Sequence, residues 1–124
     1  MTMESPYKGK TGLRRMWNAL HFSIDGFHAA FRHEDAFRQE LALTAILIPI
    51  ALMTPASGPG KALMILAVLL VLIVELVNSA IEAVTDRVSL ENHALAKRAK
   101  DLGSAAVMLA LLGVPVIWLV VLLG

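Results

Sequence analysis

The sequence predicts an all-α membrane protein in which an N-terminal amphipathic surface helix precedes three transmembrane helices. Three observations lead to this fold class. Hydrophobic residues make up 57% of the 124-residue chain and charged residues only 17%, with a mean hydropathy of +0.69, whereas about 25% of the residues of a soluble domain are charged. Long apolar segments recur after residue 36. Residues 13–31 carry an apolar stripe at helical spacing.

The surface helix is expected over residues 13–33. Its apolar residues recur every three or four positions, so they fall on one side of a helix, opposite a polar and basic face. They are Leu13, Met16, Trp17, Leu20, Ile24, Phe27 and Phe31. An aromatic-rich stripe beside basic residues is typical of a helix that lies in a membrane interface. Phe22 is the exception, because it places an aromatic ring on the polar face.

Three segments are apolar and long enough to cross a bilayer. They are residues 36–53, 61–85 and 102–123. The last has 22 residues without a charge, which span about 33 Å as a helix. The Pro- and Gly-rich stretch 54–60 and the polar stretch 86–101 are expected to be loops. We expect a single domain over residues 1–124.

Lys and Arg residues flank the spans unevenly. The first 40 residues hold six of the eleven basic residues, and the polar stretch before the third span holds four more. The stretch 54–60 and the C-terminus share only the neighbouring Lys61. Because basic residues stay on the cytoplasmic side of a membrane, the N-terminus and the stretch 86–101 should be cytoplasmic.

Charge and cysteine content exclude several classes of function. The formal net charge of +1 does not indicate a nucleic-acid partner. The absence of Cys excludes a disulfide framework, a thiolate metal site and a Cys nucleophile. The four His residues are scattered along the sequence, so a tetrahedral zinc site has no good ligand pattern.

The second predicted span carries polar side chains on one face of its C-terminal half. Glu75, Asn78, Ser79, Glu82 and Asp86 lie within about 60° of one direction on a helix. A carboxylate in a bilayer by default faces a partner or a wet cavity, and neighbouring carboxylates need a cation, a proton or a metal between them. A solvated helix end accounts for Asp86 and stays open for Glu82. It does not account for Glu75, which follows thirteen apolar residues.

Carboxylate oxygens of this kind suit Mg²⁺, which completes its shell with water and nucleotide phosphates. A second group of acids, Glu34, Asp35 and Glu40, lies around the start of the first span. Basic residues that can meet phosphates lie between residues 97 and 100. The sequence therefore places acids and cations together at the cytoplasmic surface.

Three sequence blocks resemble those of the small prokaryotic integral-membrane diacylglycerol kinases. The blocks are Glu34-Asp-Ala-Phe37-Arg38-Gln39-Glu40, Glu75-x-x-Asn78-Ser79-Ala-Ile-Glu82-Ala-Val-x-Asp86-Arg87 and Ala99-Lys100-Asp101-x-Gly103-Ser104-Ala105-Ala106-Val107. The resemblance covers about residues 13–120 with matching spacing. It implies a homotrimer in the bacterial inner membrane with a cytoplasmic active site. It also implies transfer of the γ-phosphoryl group of ATP, with Mg²⁺ as cofactor, to the free hydroxyl of diacylglycerol, giving phosphatidate.

The resemblance also implies roles for residues at matching positions. Glu75 is similar to the family's general base and Asn78 to the residue that orients it, while Glu34 and Glu82 are similar to the Mg²⁺ ligands. The implied nucleotide-binding residues are Arg15, Phe22, Glu34, Glu82, Asp86, Glu91, Asn92, His93, Lys100 and Asp101. The implied lipid-binding residues are Arg15, Ala19, Arg38, Gln39, Glu40, Glu75, Ser104 and Trp118. Departures from the family's pattern, which bear on nucleotide affinity, are Phe22 in place of Tyr, Asp25 and Lys97.

Two alternatives stay open from the sequence. One is an undecaprenol kinase of the same architecture, although the stretches 38–40 and 78–79 favour the diacylglycerol type. The other is a small proton-coupled transporter, which needs a carboxylate near the middle of the bilayer and usually a fourth span. ATP consumption that depends on added lipid separates a kinase from a transporter.

Overall fold

The computed structural model describes residues 12–88 and 93–124, and every regular element within these ranges is an α-helix. The four helices are α1 (Gly12–His33), α2 (Asp35–Met53), α3 (Gly58–Val88) and α4 (His93–Leu123). Helices α2, α3 and α4 are each long and apolar enough to cross a membrane. The predicted all-α class with three membrane-spanning helices is therefore confirmed.

The chain divides into two compact units between Glu34 and Asp35. The first unit contains α1. All seven residues of its predicted apolar stripe, from Leu13 to Phe31, are more than half exposed. An exposed apolar stripe of this length needs a cover, and a lipid interface is the cover that the sequence predicts.

The second unit contains α2, α3 and α4, with α3 packed against both of the others. The buried apolar side chains of this unit are concentrated on α3, where Met64, Ala67, Val68 and Val71 are almost inaccessible. Most of α4 is exposed along its apolar length. Such a surface suits hydrocarbon or another protein helix better than water.

Helix α3 begins earlier than the sequence predicts, inside the expected loop 54–60. The Ser57 side-chain oxygen accepts a hydrogen bond from the backbone N–H of Gly60 at 3.1 Å, and its carbonyl accepts one from the N–H of Lys61 at 2.8 Å. Ser57 is thus an N-cap, and Pro59 lies in the first turn, where a missing N–H costs nothing. Pro and Gly here mark a helix start rather than a loop.

Replacing the N-cap should therefore weaken the start of α3. We expect Ser57→Ala to lower the free energy of unfolding by about 1 kcal/mol, because it removes the acceptor for the Gly60 N–H. Equilibrium unfolding in mixed micelles with increasing SDS, followed by circular dichroism, measures the change. Ser57→Asp restores an acceptor and should unfold close to the wild type. An alanine variant as stable as the wild type would contradict the capping role.

The prediction of a loop over residues 86–101 is wrong for most of its length. Helix α3 continues to Val88 and α4 already begins at His93. The polar composition of this stretch indicated exposure, but residues 94–100 consist of Ala, Leu, Lys and Arg, which are strong helix formers. Lys97 and Asp101 also form an ion pair at 2.7 Å, one turn apart on α4. Here polarity marks a solvated helix rather than a turn.

Candidate functional site

The buried polar side chains of the second unit lie on α2 and α3. They are Glu40, Thr44, Glu75, Asn78 and Thr85, each no more than 9% exposed. A buried polar group needs a hydrogen bond or a charged partner to offset the loss of water. Two of these residues, Glu40 and Glu75, are acids, and burying a carboxylate without a partner costs more free energy than burying a neutral polar group. These buried polar residues are therefore the first candidates for a functional site.

Glu40 and Glu75 form a carboxyl pair across α2 and α3. Their carboxyl groups lie within hydrogen-bonding reach of each other, and they are only 9% and 6% exposed. A hydrogen bond between two carboxyl groups requires a proton on one of them. The second oxygen of Glu40, Oε2, is buried without a hydrogen-bond partner. Two acids this close in an apolar environment need a proton, a cation or a polar ligand between them.

Thr44 lies one turn beyond Glu40 on α2. Its hydroxyl donates a 2.7 Å hydrogen bond to the backbone carbonyl oxygen of Glu40. A hydroxyl has a single proton to donate. Because Thr44 donates it to this carbonyl oxygen, Thr44 cannot also donate a hydrogen bond to the carboxyl group of Glu40 or Glu75. The unsatisfied Oε2 of Glu40 remains open to a ligand.

Asn78 lies between Glu75 and Glu82 in the sequence of α3. Its Nδ2 donates a hydrogen bond to Glu82 Oε1 at 3.1 Å, while its Oδ1 is buried and makes no hydrogen bond. Exposure rises along this face of α3, from buried Glu75 and Asn78 through partly buried Glu82 to exposed Asp86. The row of acids therefore runs from an apolar environment into a solvated one.

The predicted basic residues meet this row at its solvated end. Lys100 Nζ on α4 lies 2.5 Å from Asp86 Oδ1 on α3. Exposed ion pairs add little to stability because water and salt screen them. Lys100 can therefore leave the Asp86 carboxylate and bind a phosphate of an incoming polyanion. The structure thus brings together Asp86 and Lys100, which the family resemblance assigned to the nucleotide.

One carboxylate oxygen at this end of α3 is available to a cation. Glu82 gives one oxygen to Asn78, and a carboxylate carries a second oxygen for a cation. Within residues 12–88 and 93–124, no group of three acidic or His residues is placed to hold a metal ion. A bound Mg²⁺ would take its remaining oxygens from water and phosphate, as it usually does with nucleotides. Glu34 belongs to the first unit, and its partnership with Glu82 stays a prediction.

An apolar groove of about 210 Å³ leads away from the carboxyl pair. Glu40 and Thr44 line its polar part, and α3 and α4 complete the wall. The remaining lining residues are Leu43, Leu47, Val68, Val71, Leu111, Val114 and Pro115. A hydrocarbon chain fits such a surface, because the groove offers no polar side chain beyond its first turn.

The other predicted lipid-binding residues are dispersed. Arg38 pairs with Asp35 one turn earlier on α2, and its neighbour Gln39 is exposed. Ser104 is exposed on α4. Trp118 donates its indole N–H to the Met64 carbonyl oxygen at 3.1 Å. Met64 lies about 16 Å along α3 from Glu75. The structure therefore does not bring Trp118 to the carboxyl pair, and its lipid-binding role stays a prediction.

The remaining predicted nucleotide residues lie on α1, on α4 or outside the described residues. Arg15 and Phe22 are exposed on α1, as is Ala19, which the resemblance assigned to the lipid. Asp101 is exposed on α4 and pairs with Lys97. Glu91 and Asn92 lie outside the described residues, and His93 is the first residue of α4.

Two contacts in the site were not predicted from the sequence. The first is the pairing of Glu40 with Glu75, and the second is a close approach of Gly103 on α4 to Asn78 on α3. Both join residues from different helices. Their spacing along the chain carries no signal of contact, although the burial expected for Glu75 required a partner of some kind.

Comparison with known proteins gives a consistent result. The family model described as prokaryotic diacylglycerol kinase matches residues 21–122. A diacylglycerol kinase of Pseudomonas aeruginosa is 57% identical over 120 residues, which cover 97% of this chain and 98% of that protein. A diacylglycerol kinase of Escherichia coli is 43% identical over 112 residues, covering 90% and 92%. One of Haemophilus influenzae is 45% identical over 108 residues, covering 87% and 92%.

Proposed function

The chain belongs to the prokaryotic diacylglycerol kinase family, and we propose that it transfers the γ-phosphoryl group of ATP to the free hydroxyl of diacylglycerol. The observation that carries this proposal is the position of Glu75. It is a buried acid, paired with Glu40, at the inner end of a row of acids that reaches solvent beside Lys100. A lipid hydroxyl needs an acceptor in an apolar environment, and a soluble nucleotide needs charged groups that are open to solvent.

Glu75 is the proposed general base. When the diacylglycerol oxygen attacks the γ-phosphorus, the hydroxyl proton passes to a Glu75 oxygen, the bond between the γ-phosphorus and the bridging oxygen breaks, and ADP leaves. Glu40, whose carboxyl group lies next to that of Glu75, belongs to the same proposed site. Such a positioned base contributes about 10²–10⁴-fold to a rate.

Glu82 and Glu34 are the proposed ligands of Mg²⁺, which when bound would neutralise charge on the β- and γ-phosphates. Asn78 holds the Glu82 carboxylate through its 3.1 Å hydrogen bond. Glu82 lies seven residues from Glu75, about 10 Å along α3. Lys100 would leave Asp86 for a phosphate oxygen and offset its negative charge. Arg15, Phe22, Glu91, Asn92, His93 and Asp101 complete the proposed nucleotide site.

The lipid is proposed to lie with its hydroxyl at Glu75 and an acyl chain in the groove of about 210 Å³. The unsatisfied Glu40 Oε2 at the polar part of that groove supports this position, because a buried carboxyl oxygen without a partner favours a polar ligand. Proposed further contacts of the lipid come from Arg15, Ala19, Arg38, Gln39, Ser104 and Trp118.

We further propose that the protein is a homotrimer in the bacterial inner membrane, with its N-terminus and active site cytoplasmic. The concentration of Lys and Arg before residue 40 and between residues 87 and 100 supports this orientation. The exposed apolar length of α4 supports contact with lipid or with further copies of the chain. The sequence resemblance supports three copies.

Lipid phosphorylation by the purified protein tests the proposed function. In mixed micelles with ATP and Mg²⁺, we expect phosphorylation of diacylglycerol and little or none of undecaprenol at equal mole fraction. Omitting Mg²⁺ or the lipid should stop ATP consumption. Faster phosphorylation of undecaprenol would assign the chain to that lipid instead. ATP consumption that does not depend on a lipid acceptor would contradict both assignments.

A further inference from the structure

Gly103 on α4 lies against the side chain of Asn78 on α3. A Cβ atom added at Gly103 would lie 3.1 Å from Asn78 Cγ and would overlap Asn78 Oδ1. Both residues are buried. The atoms in the way belong to the end of one side chain and not to a backbone, so a larger residue at position 103 would displace Asn78 rather than separate the two helices.

The Asn78 amide is therefore held from two sides. Its nitrogen donates to Glu82 Oε1, which fixes the direction of the oxygen, since both atoms are attached to the same planar carbon. That oxygen makes no hydrogen bond and lies where a Cβ atom of residue 103 would be. Any movement of the amide away from Gly103 changes the direction of the Nδ2–H bond and so weakens the bond to Glu82.

We propose that Gly103 is a positioning residue for the metal-nucleotide end of the site. The absence of a side chain at Gly103 leaves room for the Asn78 amide. Asn78 in turn holds the Glu82 carboxylate in the orientation in which Glu82 would bind the metal of the nucleotide complex. Gly103 itself touches neither substrate. This inference rests on the proposed function through the role of Glu82.

The chain contains a matched control for this contact. Gly113 lies ten residues further along the same helix, and a Cβ added there would meet nothing within 4 Å. Alanine favours a helix over glycine at both positions. A loss that is specific to position 103 therefore cannot come from the helix propensity of alanine.

The test compares Gly103→Ala with Gly113→Ala in the full-length protein in mixed micelles. The first readout is calorimetric binding of a non-hydrolysable ATP analogue at a series of Mg²⁺ concentrations, and the second is the KM for ATP in lipid phosphorylation. Loss of support for a metal ligand typically weakens metal affinity about 10–100-fold. We expect Gly103→Ala to weaken binding of the Mg²⁺-bound analogue and to raise the KM by about tenfold. Gly113→Ala should match the wild type in both.

A double-mutant cycle separates positioning from a general structural defect. If Gly103 acts through Asn78, adding Gly103→Ala to Asn78→Ala should weaken analogue binding no further, because the displaced side chain is already gone. The pair should also fold even if Gly103→Ala alone does not. Wild-type binding by Gly103→Ala, or additive losses in the double variant, would overturn the inference. A wild-type protein that binds the analogue but does not phosphorylate diacylglycerol would instead overturn the proposed function.

Discussion

Replacing Glu75 with glutamine should lower the rate of phosphatidate formation by about 10²–10⁴-fold while the protein still binds ATP with Mg²⁺. Glutamine has nearly the same shape as glutamate but cannot accept the proton of the lipid hydroxyl. Because the side chain keeps its size, the buried contact between α2 and α3 should survive. Initial rates of lipid phosphorylation and calorimetric binding of a non-hydrolysable ATP analogue measure the two effects separately.

Val77→Ala is the matched control for this variant. Val77 lies two residues along α3 and is 55% exposed, away from the buried cluster. Trimming it should leave both the rate and nucleotide binding close to the wild type. If Glu75→Gln retained a rate similar to that of Val77→Ala, Glu75 would not be the base. Loss of analogue binding in Glu75→Gln would show instead that Glu75 belongs to the nucleotide site.

Replacing Glu82 with glutamine should give the opposite pattern, with weak binding of the nucleotide. The glutamine carbonyl can still accept the hydrogen bond from Asn78 Nδ2, so the local packing remains and only the negative charge is lost. We expect the Mg²⁺ concentration for half-maximal activity to rise by about 10–100-fold. Titration of both lipid phosphorylation and analogue binding with Mg²⁺ measures this change.

The comparison of the two glutamine variants is more informative than either alone. Glu75→Gln should leave the Mg²⁺ dependence of analogue binding unchanged, whereas Glu82→Gln should shift it. The same Mg²⁺ dependence in both variants would contradict the division of α3 into a buried proton-accepting end and a solvated metal-binding end.

The helices could be predicted from the sequence because their signals are local. The apolar stripe of α1 and the three apolar segments depend on spacing and hydropathy alone, and the structure confirms three spanning helices. The ends were less accurate. Ser57 and Pro59 begin α3 within the expected loop, and residues 93–101 extend α4 toward its N-terminus. Polar and turn-forming residues occur in solvent-exposed helices and in helix caps as well as in loops. Composition alone therefore does not predict where a helix ends.

Only the part of the site that lies on a single helix could be predicted from the sequence. Glu75, Asn78 and Glu82 share a face of α3 because helix geometry fixes their directions, and this face is where the buried acid and its neighbours lie. The partner of Glu75 on α2 and the approach of Gly103 to Asn78 depend on how three helices pack. Many packings satisfy the same apolar pattern, so the sequence did not predict these two contacts.

Transfer of labelled phosphate to diacylglycerol tests the central role of Glu75 most directly. Wild-type protein and Glu75→Gln are incubated in parallel with diacylglycerol, Mg²⁺ and ATP labelled in the γ-phosphate, and the label in extracted phosphatidate is followed with time. We predict label in phosphatidate with the wild type, and label at least about a hundredfold slower with Glu75→Gln. Equal labelling by the two proteins, or no labelled phosphatidate with the wild type, would contradict the account.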